Sequence, residues 1–114
     1  FLPIFQNNLA EFIMPDLVWT GGISELKKIS IMAEAYYIPV SPHIVPGGPI
    51  EFLASAHVMK SIPNFYRLEH ALTLVSEHNK YLQDPYEILD GELYLNDKPG
   101  LGFELNEAIL TKMR

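Results

Sequence analysis

The sequence has 114 residues and a mass of 12.9 kDa, is 48% apolar and only 19% charged, and so suits one folded domain rather than a disordered or low-complexity chain. Eight Lys and Arg against 14 Asp and Glu give a net charge of −6, which argues against a nucleic-acid partner, and the absence of Cys excludes disulfides and thiolate chemistry. No apolar run approaches the ~20 residues that span a membrane, and the first residues lack a signal-peptide pattern, so we expect a cytoplasmic protein without a membrane partner.

The first predicted elements alternate between strand and helix. Residues 13–19 form an apolar run with Val, Ile and Trp, which predicts a buried strand. Ser24 is the predicted N-cap of a helix, because apolar residues recur at helical spacing behind it. These apolar residues are Leu26, Ile29, Met32, Ala33 and Tyr36. Residues 38–41 predict a second strand, which a loop rich in Pro and Gly follows over residues 45–49.

A second helix is predicted over residues 50–61. Its predicted core face consists of Ile50, Leu53, Ala54, His57 and Val58. Another apolar side, which contains Phe52, Ala56 and Met59, is expected to stay exposed. Because exposed apolar surface favours self-association, we expect a homo-oligomer.

The rest of the chain predicts a third strand over residues 65–68 and a helix over residues 71–82. A strand over residues 91–96, a turn over residues 97–100 and a short final helix capped by Asn106 follow. Consecutive strand-helix-strand units imply parallel strands with right-handed crossovers. The expected fold class is therefore α/β, with about three parallel β/α units and a C-terminal tail.

Three polar residues lie at or just beyond the C-terminal part of successive predicted strands. They are Asp16, His43 and Glu69, separated by 27 and 26 residues. In parallel sheets and barrels this edge is where sites are built. A carboxylate that bonds one imidazole nitrogen fixes the tautomer and makes the other nitrogen an acid or base near neutral pH. We therefore predict a proton-transfer site formed by the pair Asp16 and His43, with Glu69 across the mouth.

Each of these residues also has a purely structural interpretation. Asp16 would serve as a turn residue or helix cap, and His43 as an ordinary loop histidine. Glu69 would pair with Arg67 or Lys80 at the surface. The periodic placement favours the functional interpretation, because it brings all three side chains to one edge.

The other histidines are weaker candidates for chemistry. His57 lies on the apolar stripe of a predicted helix, His70 faces away from the predicted site, and His78 falls in a polar stretch. No two histidines have metal-ligand spacing, so no metal-binding residue is predicted in this chain. The glycine pair 47–48 lacks the Lys-Ser/Thr ending of a phosphate loop, which favours a turn.

Short motifs occur in a fixed order along essentially the whole chain. They are Met14-Pro15-Asp16, Gly21-Gly22-Ile23-Ser24-Glu25, Lys28-Ile29, Met32-Ala33-Glu34-Ala35-Tyr36, Ile38-Pro39-Val40, Pro42-His43, Gly48-Pro49, Ala54-Ser55, His57, Pro63-Asn64, Glu69 and Asp97-Lys98-Pro99-Gly100-Leu101-Gly102. This ordered set resembles the enolase superfamily. Within it, the set is similar to the mandelate racemase subgroup and its acid-sugar dehydratases of the galactonate type.

The resemblance implies that this chain is the C-terminal third of a (β/α)8-type barrel, a modified TIM barrel. Residues 1–82 would supply the last β/α units with strands six to eight, and residues 1–12 would belong to the fifth helix. Residues 83–114 would form a C-terminal tail that returns to a capping domain. By this resemblance, the capping domain and the first half of the barrel would lie outside this sequence. Because three parallel strands do not close a barrel, we expect a fragment of a longer enzyme.

The resemblance also implies an activity, the magnesium-dependent dehydration of a small sugar acid by a lyase. Its catalytic dyad would be Asp16 and His43, and Glu69 would hydrogen-bond the substrate carboxylate. His43 and Glu69 are then the substrate-binding residues. The Mg²⁺ ligands and a lysine base are expected upstream of this chain, where the metal would stabilise an enediolate.

Two alternatives stay open. A racemase or epimerase of the mandelate racemase type would use His43 as one of two bases. As an isolated chain, the 114 residues would instead be an inactive fragment or an interaction module, because the resemblance places the metal ligands upstream of them.

Overall fold

A computed structural model describes residues 1–44 and 47–112 of the chain. Val45 and Pro46, which belong to the loop predicted between the second strand and the second helix, lie outside the described residues. Within the described ranges, no helix has the length and apolar character needed to cross a membrane.

The chain divides into two compact units, Phe1–Glu69 and His70–Arg114. The helices of the first unit are α1 (Leu2–Gln6), α2 (Leu17–Thr20), α3 (Ile23–Glu34) and α4 (Gly48–Lys60). Between them, extended segments pair in parallel through bridges of Ile13 with Val40 and of Val40 with Phe65. The predicted parallel order of three segments is confirmed, but in the form of isolated bridges rather than long strands.

The strand predicted over residues 13–19 is wrong in its second half, where α2 begins at Leu17. Asp16 is the N-cap of α2, and its carboxylate accepts a hydrogen bond from the Trp19 N–H at 2.8 Å. Gly21 ends the helix in the left-handed conformation, with φ of 110°. As a result Trp19 is 77% exposed instead of buried in a strand. An apolar run alone does not separate strand from helix, and the cap decides here.

The N-terminus of α3 lies slightly earlier than predicted. The helix begins at Ile23, so Gly22 rather than Ser24 occupies the N-cap position. Its buried residues are Leu26, Ser30 and Ala33. Met32 and Tyr36, at the edge of the predicted apolar stripe, are exposed. The face of α3 that is buried is therefore narrower than the predicted stripe.

The helix α4 is buried on nearly all sides rather than along one face. Its buried residues are Pro49, Glu51, Phe52, Leu53, Ala54, Ser55, Ala56, Val58 and Met59. The expectation that Phe52, Ala56 and Met59 form an exposed side is therefore wrong, because α4 packs against both α2 and α3. Conversely, Ile50 of the predicted core face is 50% exposed. The homo-oligomer stays a prediction without this support.

A single side chain ties the third extended segment to the rest of the first unit. The Asn64 side-chain amide donates to Ser30 O at 3.1 Å and to Ile38 O at 3.0 Å. The backbone carbonyl of Asn64 in turn accepts a hydrogen bond from the Val40 N–H at 2.9 Å. Within the strand predicted over residues 65–68, Phe65 alone forms a β-bridge, and its partner is Val40. Asn64 thus sets the register that places the residues after it.

The second unit has shorter elements than predicted. It contains a 3₁₀ turn (Leu72–Leu74), α5 (Val75–Asn79), β1 (Ile88–Leu89), β2 (Glu92–Leu93) and α6 (Glu107–Thr111). The helix predicted over residues 71–82 is thus confined to its middle part. The strand predicted over residues 91–96 pairs for two residues only, in an antiparallel hairpin with β1. Asp90 and Gly91 form its turn with φ of 53° and 80°. Asn106 occupies the N-cap position of α6, although its side chain makes no capping bond.

Candidate functional site

Asp16 and His43 lie side by side at the ends of the first two extended segments. The segments form a parallel bridge at these two residues, and the His43 N–H donates to Pro15 O at 3.1 Å. Asp16 is 6% exposed, and its Oδ2 lies 3.0 Å from His43 Nδ1. Because an ionised carboxylate only accepts hydrogen bonds, Nδ1 is the donor and Nε2 is left to exchange protons. The two interpretations of Asp16, as helix cap and as partner of the histidine, are both correct, with one oxygen for each.

Glu69 lies at the end of the third segment and connects to the residue after His43. Its Oε2 accepts a hydrogen bond from the Ile44 N–H at 2.8 Å. The ion pairs considered for it are not among the salt bridges of the described residues, since Lys80 pairs with Glu77 and Arg67 lies over the Tyr66 ring at 5.0 Å. The structure therefore brings all three predicted residues to one edge. Asp16 and His43 are joined by a direct hydrogen bond, and Glu69 is connected to them through the backbone N–H of Ile44.

An aromatic side chain borders this edge. The Trp19 ring centroid lies 6.3 Å from that of His43, with the planes tilted by 44°. Trp19 is exposed because it belongs to α2, whose N-cap is Asp16. It therefore presents an apolar surface next to the imidazole.

The site contains a second buried carboxyl group that the sequence analysis missed. Glu51 lies in the first turn of α4 and is 3% exposed. Burial raises the pKa of Glu51, and the negative charge of Asp16 raises it further, whereas the Gly47 N–H and His43 oppose the shift. One signal in the sequence was available, because Glu51 is the only Asp, Glu, Lys or Arg between positions 50 and 59 of a largely apolar helix.

Comparison with models of known protein families shows to which family this chain belongs. The family model described as "Enolase C-terminal domain-like" matches residues 1–109. The chain belongs to this family. The resemblance to the enolase superfamily and the α/β fold class are thereby confirmed.

Several relatives of this enolase-like chain are named as acid-sugar dehydratases. Arabinonate dehydratase from Saccharolobus solfataricus is 31% identical over 114 residues, which cover 100% of this chain and 30% of the relative. D-Galactonate dehydratase from Pectobacterium atrosepticum is 36% identical over 118 residues, which cover 95% of this chain and 31% of the relative. The chain therefore spans less than a third of the length of these relatives.

A solved structure shows the same relation in three dimensions. The crystal structure of an enolase from Pantoea ananatis with bound D-gluconate and Mg matches with a TM-score of 0.89 at 32% sequence identity. The match covers 98% of this chain and 27% of that one.

The second unit of the enolase-like chain contains another cluster of titratable side chains. The Tyr86 hydroxyl lies 2.9 Å from His78 Nδ1 and 3.3 Å from His70 Nε2. Although His78 falls in a polar stretch of the sequence, its side chain is buried and only 4% exposed. Burial lowers the pKa of His70 and His78, and His78 lowers the pKa of His70 further, whereas Glu77 opposes the shift of His78. Burial also raises the pKa of Tyr86 to about 12.

Acidification is expected to destabilise this second unit. Because the pKa of folded His70 and His78 lies below the ordinary 6.5, the unfolded chain binds more protons than the folded one as the pH falls below that value. The stability is therefore fully present above the ordinary pKa and is lost on acidification. Denaturant unfolding of the whole protein between about pH 5 and about pH 7.5, with hydrogen exchange over residues 70–112, measures the effect.

Removal of the shared hydroxyl group tests the same cluster at neutral pH. Tyr86→Phe is expected to cost about 1–3 kcal/mol, because the buried His78 and the partly buried His70 lose a hydrogen-bond partner. The matched control is Tyr94→Phe, whose hydroxyl donates to Glu92 on the surface, and it should change little. Stability that stays constant on acidification, or equal effects of the two variants, would contradict this account.

The described residues do not fit a bound metal ion. Within residues 1–44 and 47–112, no three or more His, Asp or Glu side chains are grouped so that they could hold one. We therefore assign no metal ligand to the described part of the chain.

Proposed function

We propose that the protein containing this chain is a dehydratase of a small sugar acid, and that this edge of the first unit supplies part of its active site. The reaction removes the proton α to the carboxylate and expels the β-hydroxyl group as water. The observation that carries the proposal is the Asp16–His43 hydrogen bond of 3.0 Å beside the segment that bonds Glu69. The names of the relatives support the same substrate class.

His43 is proposed to act as the general acid. Its Nδ1–H bonds Asp16, which orients the ring and stabilises the imidazolium form. Nε2 then donates a proton to the departing β-hydroxyl oxygen as the carbon–oxygen bond breaks. The oxygen leaves as water, and the electron pair from the broken α-carbon–hydrogen bond forms the carbon–carbon double bond of an enol. The α-proton itself goes to a base that the described residues do not include.

Glu69 is proposed to bind the substrate by donating a hydrogen bond to the substrate carboxylate, which requires that the Glu69 carboxyl group carry the shared proton when the substrate is bound. One Glu69 oxygen is already fixed by the Ile44 N–H, so the side chain is held next to the residue that follows His43. His43 and Glu69 are then the substrate-binding groups of this chain. The net charge of −6 offers no general attraction for an anionic sugar acid, so binding depends on local contacts of this kind.

The remaining parts of the enzyme are proposed from the family. Residues 1–82 would carry the last β/α units of a (β/α)8-type barrel, and residues 83–114 a tail that returns to a capping domain. Mg²⁺ would be bound by residues outside those described, as the Pantoea ananatis structure with D-gluconate and Mg supports. The whole protein would be a cytoplasmic homo-oligomer.

A second candidate function is a racemase or epimerase. Several structural neighbours, including one from Roseovarius sp. with a TM-score of 0.85 at 33% identity, are described as mandelate racemase/muconate lactonizing enzyme-like proteins. In that reaction His43 would exchange a proton with the α-carbon instead of protonating a leaving hydroxyl group. As an isolated chain, residues 1–114 would be an inactive fragment or an interaction module.

One assay distinguishes these functions. The whole protein with Mg²⁺ is incubated in deuterated water with D-gluconate, D-galactonate, D-arabinonate and D-xylonate, and the products are analysed by mass spectrometry and NMR. A dehydratase releases a 2-oxo acid that has lost one water molecule. A racemase puts deuterium on the α-carbon of substrate that keeps its hydroxyl group. If no sugar acid shows either change, the dehydratase proposal is wrong for these substrates.

A further inference from the structure

Glu51 is a buried carboxyl group without an obvious structural role. It is 3% exposed, and neither of its carboxyl oxygens has a well-aligned hydrogen-bond partner among the described residues. A buried carboxyl group in this position is costly unless it is neutral or shares a proton. An apolar residue of similar size would pack in α4 without that cost, so the carboxyl group requires another explanation.

The surroundings of Glu51 connect it to the Asp16–His43 pair. Asp16 caps α2, Glu51 lies in the first turn of α4, and these two helices pack against each other. Asp16 and His43 are the titratable groups that act on Glu51. The charged side chains of α3, which also packs against α4, do not pair with Glu51: Lys28 pairs with Glu25 at 2.6 Å, Lys27 donates to Ser61 beyond the far end of α4, and Glu34 is exposed at the last residue of α3.

We propose that Glu51 is a positioning residue for the Asp16–His43 pair, in which its neutral carboxyl group donates a hydrogen bond to Asp16 and holds that carboxylate toward His43. Asp16 has capacity for this bond, because a carboxylate offers about four acceptor positions and the structure uses one for Trp19 and one for His43. A neutral Glu51 also leaves Asp16 as the single negative partner of the imidazole. An ionised Glu51 would have no proton to donate and would add a like charge.

The backbone next to Glu51 is shaped around its carboxyl group. A Cβ atom on Gly47 would lie 1.8 Å from Glu51 Oε2 and 2.8 Å from its Cδ. The φ of Gly47 is −88°, which any residue adopts, so the contact rather than the backbone conformation excludes a larger residue. Gly47→Ala therefore displaces the carboxyl group of Glu51 without changing Glu51 itself.

The proposed hydrogen bond from Glu51 to Asp16, and its effect on the Asp16–His43 bond, can be tested in the whole protein without measuring turnover. At neutral pH, infrared difference spectroscopy should show the carbonyl stretch of a protonated carboxyl group, which Glu51→Gln removes and Glu69→Gln leaves. The downfield NMR resonance of His43 Nδ1–H should shift in Glu51→Ala and in Gly47→Ala, but stay in Glu51→Gln, whose amide also donates to Asp16. Ile50→Ala, on the exposed side of the same turn, is the matched control and should leave both signals unchanged. If the wild type lacks the acid band, or if all variants keep the His43 resonance, the inference is overturned.

The effect on turnover rests on the proposed function and is read separately. Glu51→Ala should lower kcat about tenfold with little change in KM, and Glu51→Gln should restore most of it. As the pH is raised above neutral, the wild-type kcat should fall because Glu51 ionises, and this fall should be absent in Glu51→Gln. A protein that shows the infrared and NMR signals but no dehydration contradicts the proposed function alone. Normal dehydration by Glu51→Ala, together with an unchanged pH profile, contradicts the positioning role.

Discussion

Replacement of His43 by Asn is expected to lower kcat for sugar-acid dehydration by about 10²- to 10⁴-fold, the range for loss of a general acid or base. Asn has no group that transfers a proton near neutral pH, but its amide still donates a hydrogen bond to Asp16. The cap of α2, which uses the other Asp16 oxygen, is retained. The His43 side chain is 38% exposed, so its truncation leaves little buried volume and the fold should persist. Steady-state kinetics and thermal unfolding of the whole protein measure both effects.

The control for this variant is another histidine of the same unit. His57 lies in the last turn of α4, away from the Asp16–His43 bond, so His57→Asn should keep the wild-type kcat. If His43→Asn also keeps the wild-type kcat while the protein is folded, His43 is not the general acid. Equal losses in both variants would instead point to a general effect of destabilisation.

The parts of the fold that depend on local spacing could be predicted, and those that depend on a single polar contact could not. The parallel order of Ile13, Val40 and Phe65 follows from apolar segments separated by helical ones. The change from strand to helix after Asp16 does not follow from the sequence pattern, because the apolar run continues past Asp16. One hydrogen bond from the Trp19 N–H to Asp16 makes that decision, and apolar periodicity carries no information about it.

The same distinction applies to the site. Asp16, His43 and Glu69 were predictable as a group, because residues that follow parallel strands meet at one edge whatever the details of packing. Glu51 was not, because a Glu in the first turn of a helix is usually solvated and favours the helix dipole. Its burial depends on how α4 packs against α2 and α3, and the apolar neighbours of Glu51 within α4 are only an indirect sign of it. For His78, likewise, the polar neighbours in sequence concealed a buried position.

The packing of α4 gives the largest expected effect on stability. Phe52 is 1% exposed in the middle of this helix, so Phe52→Ala is expected to lower the free energy of unfolding by about 3–5 kcal/mol through lost burial and a residual cavity. Ile50, two residues earlier and 50% exposed, is the matched control, and Ile50→Ala should cost less than about 1 kcal/mol. Denaturant unfolding of the whole protein, followed by hydrogen exchange at the α4 amides, measures both variants.

This comparison also decides what the apolar side of α4 is for. If Phe52, Ala56 and Met59 were an exposed surface for self-association, Phe52→Ala would change the sedimentation of the protein and leave its unfolding free energy nearly unchanged. Because these residues are buried against the neighbouring helices, the opposite result is expected: a large loss of stability without a change in oligomeric state. The same packing holds Glu51 beside Asp16, so a loosened α4 should also shift the His43 Nδ1–H resonance. Stability and the geometry of the site would then depend on one helix.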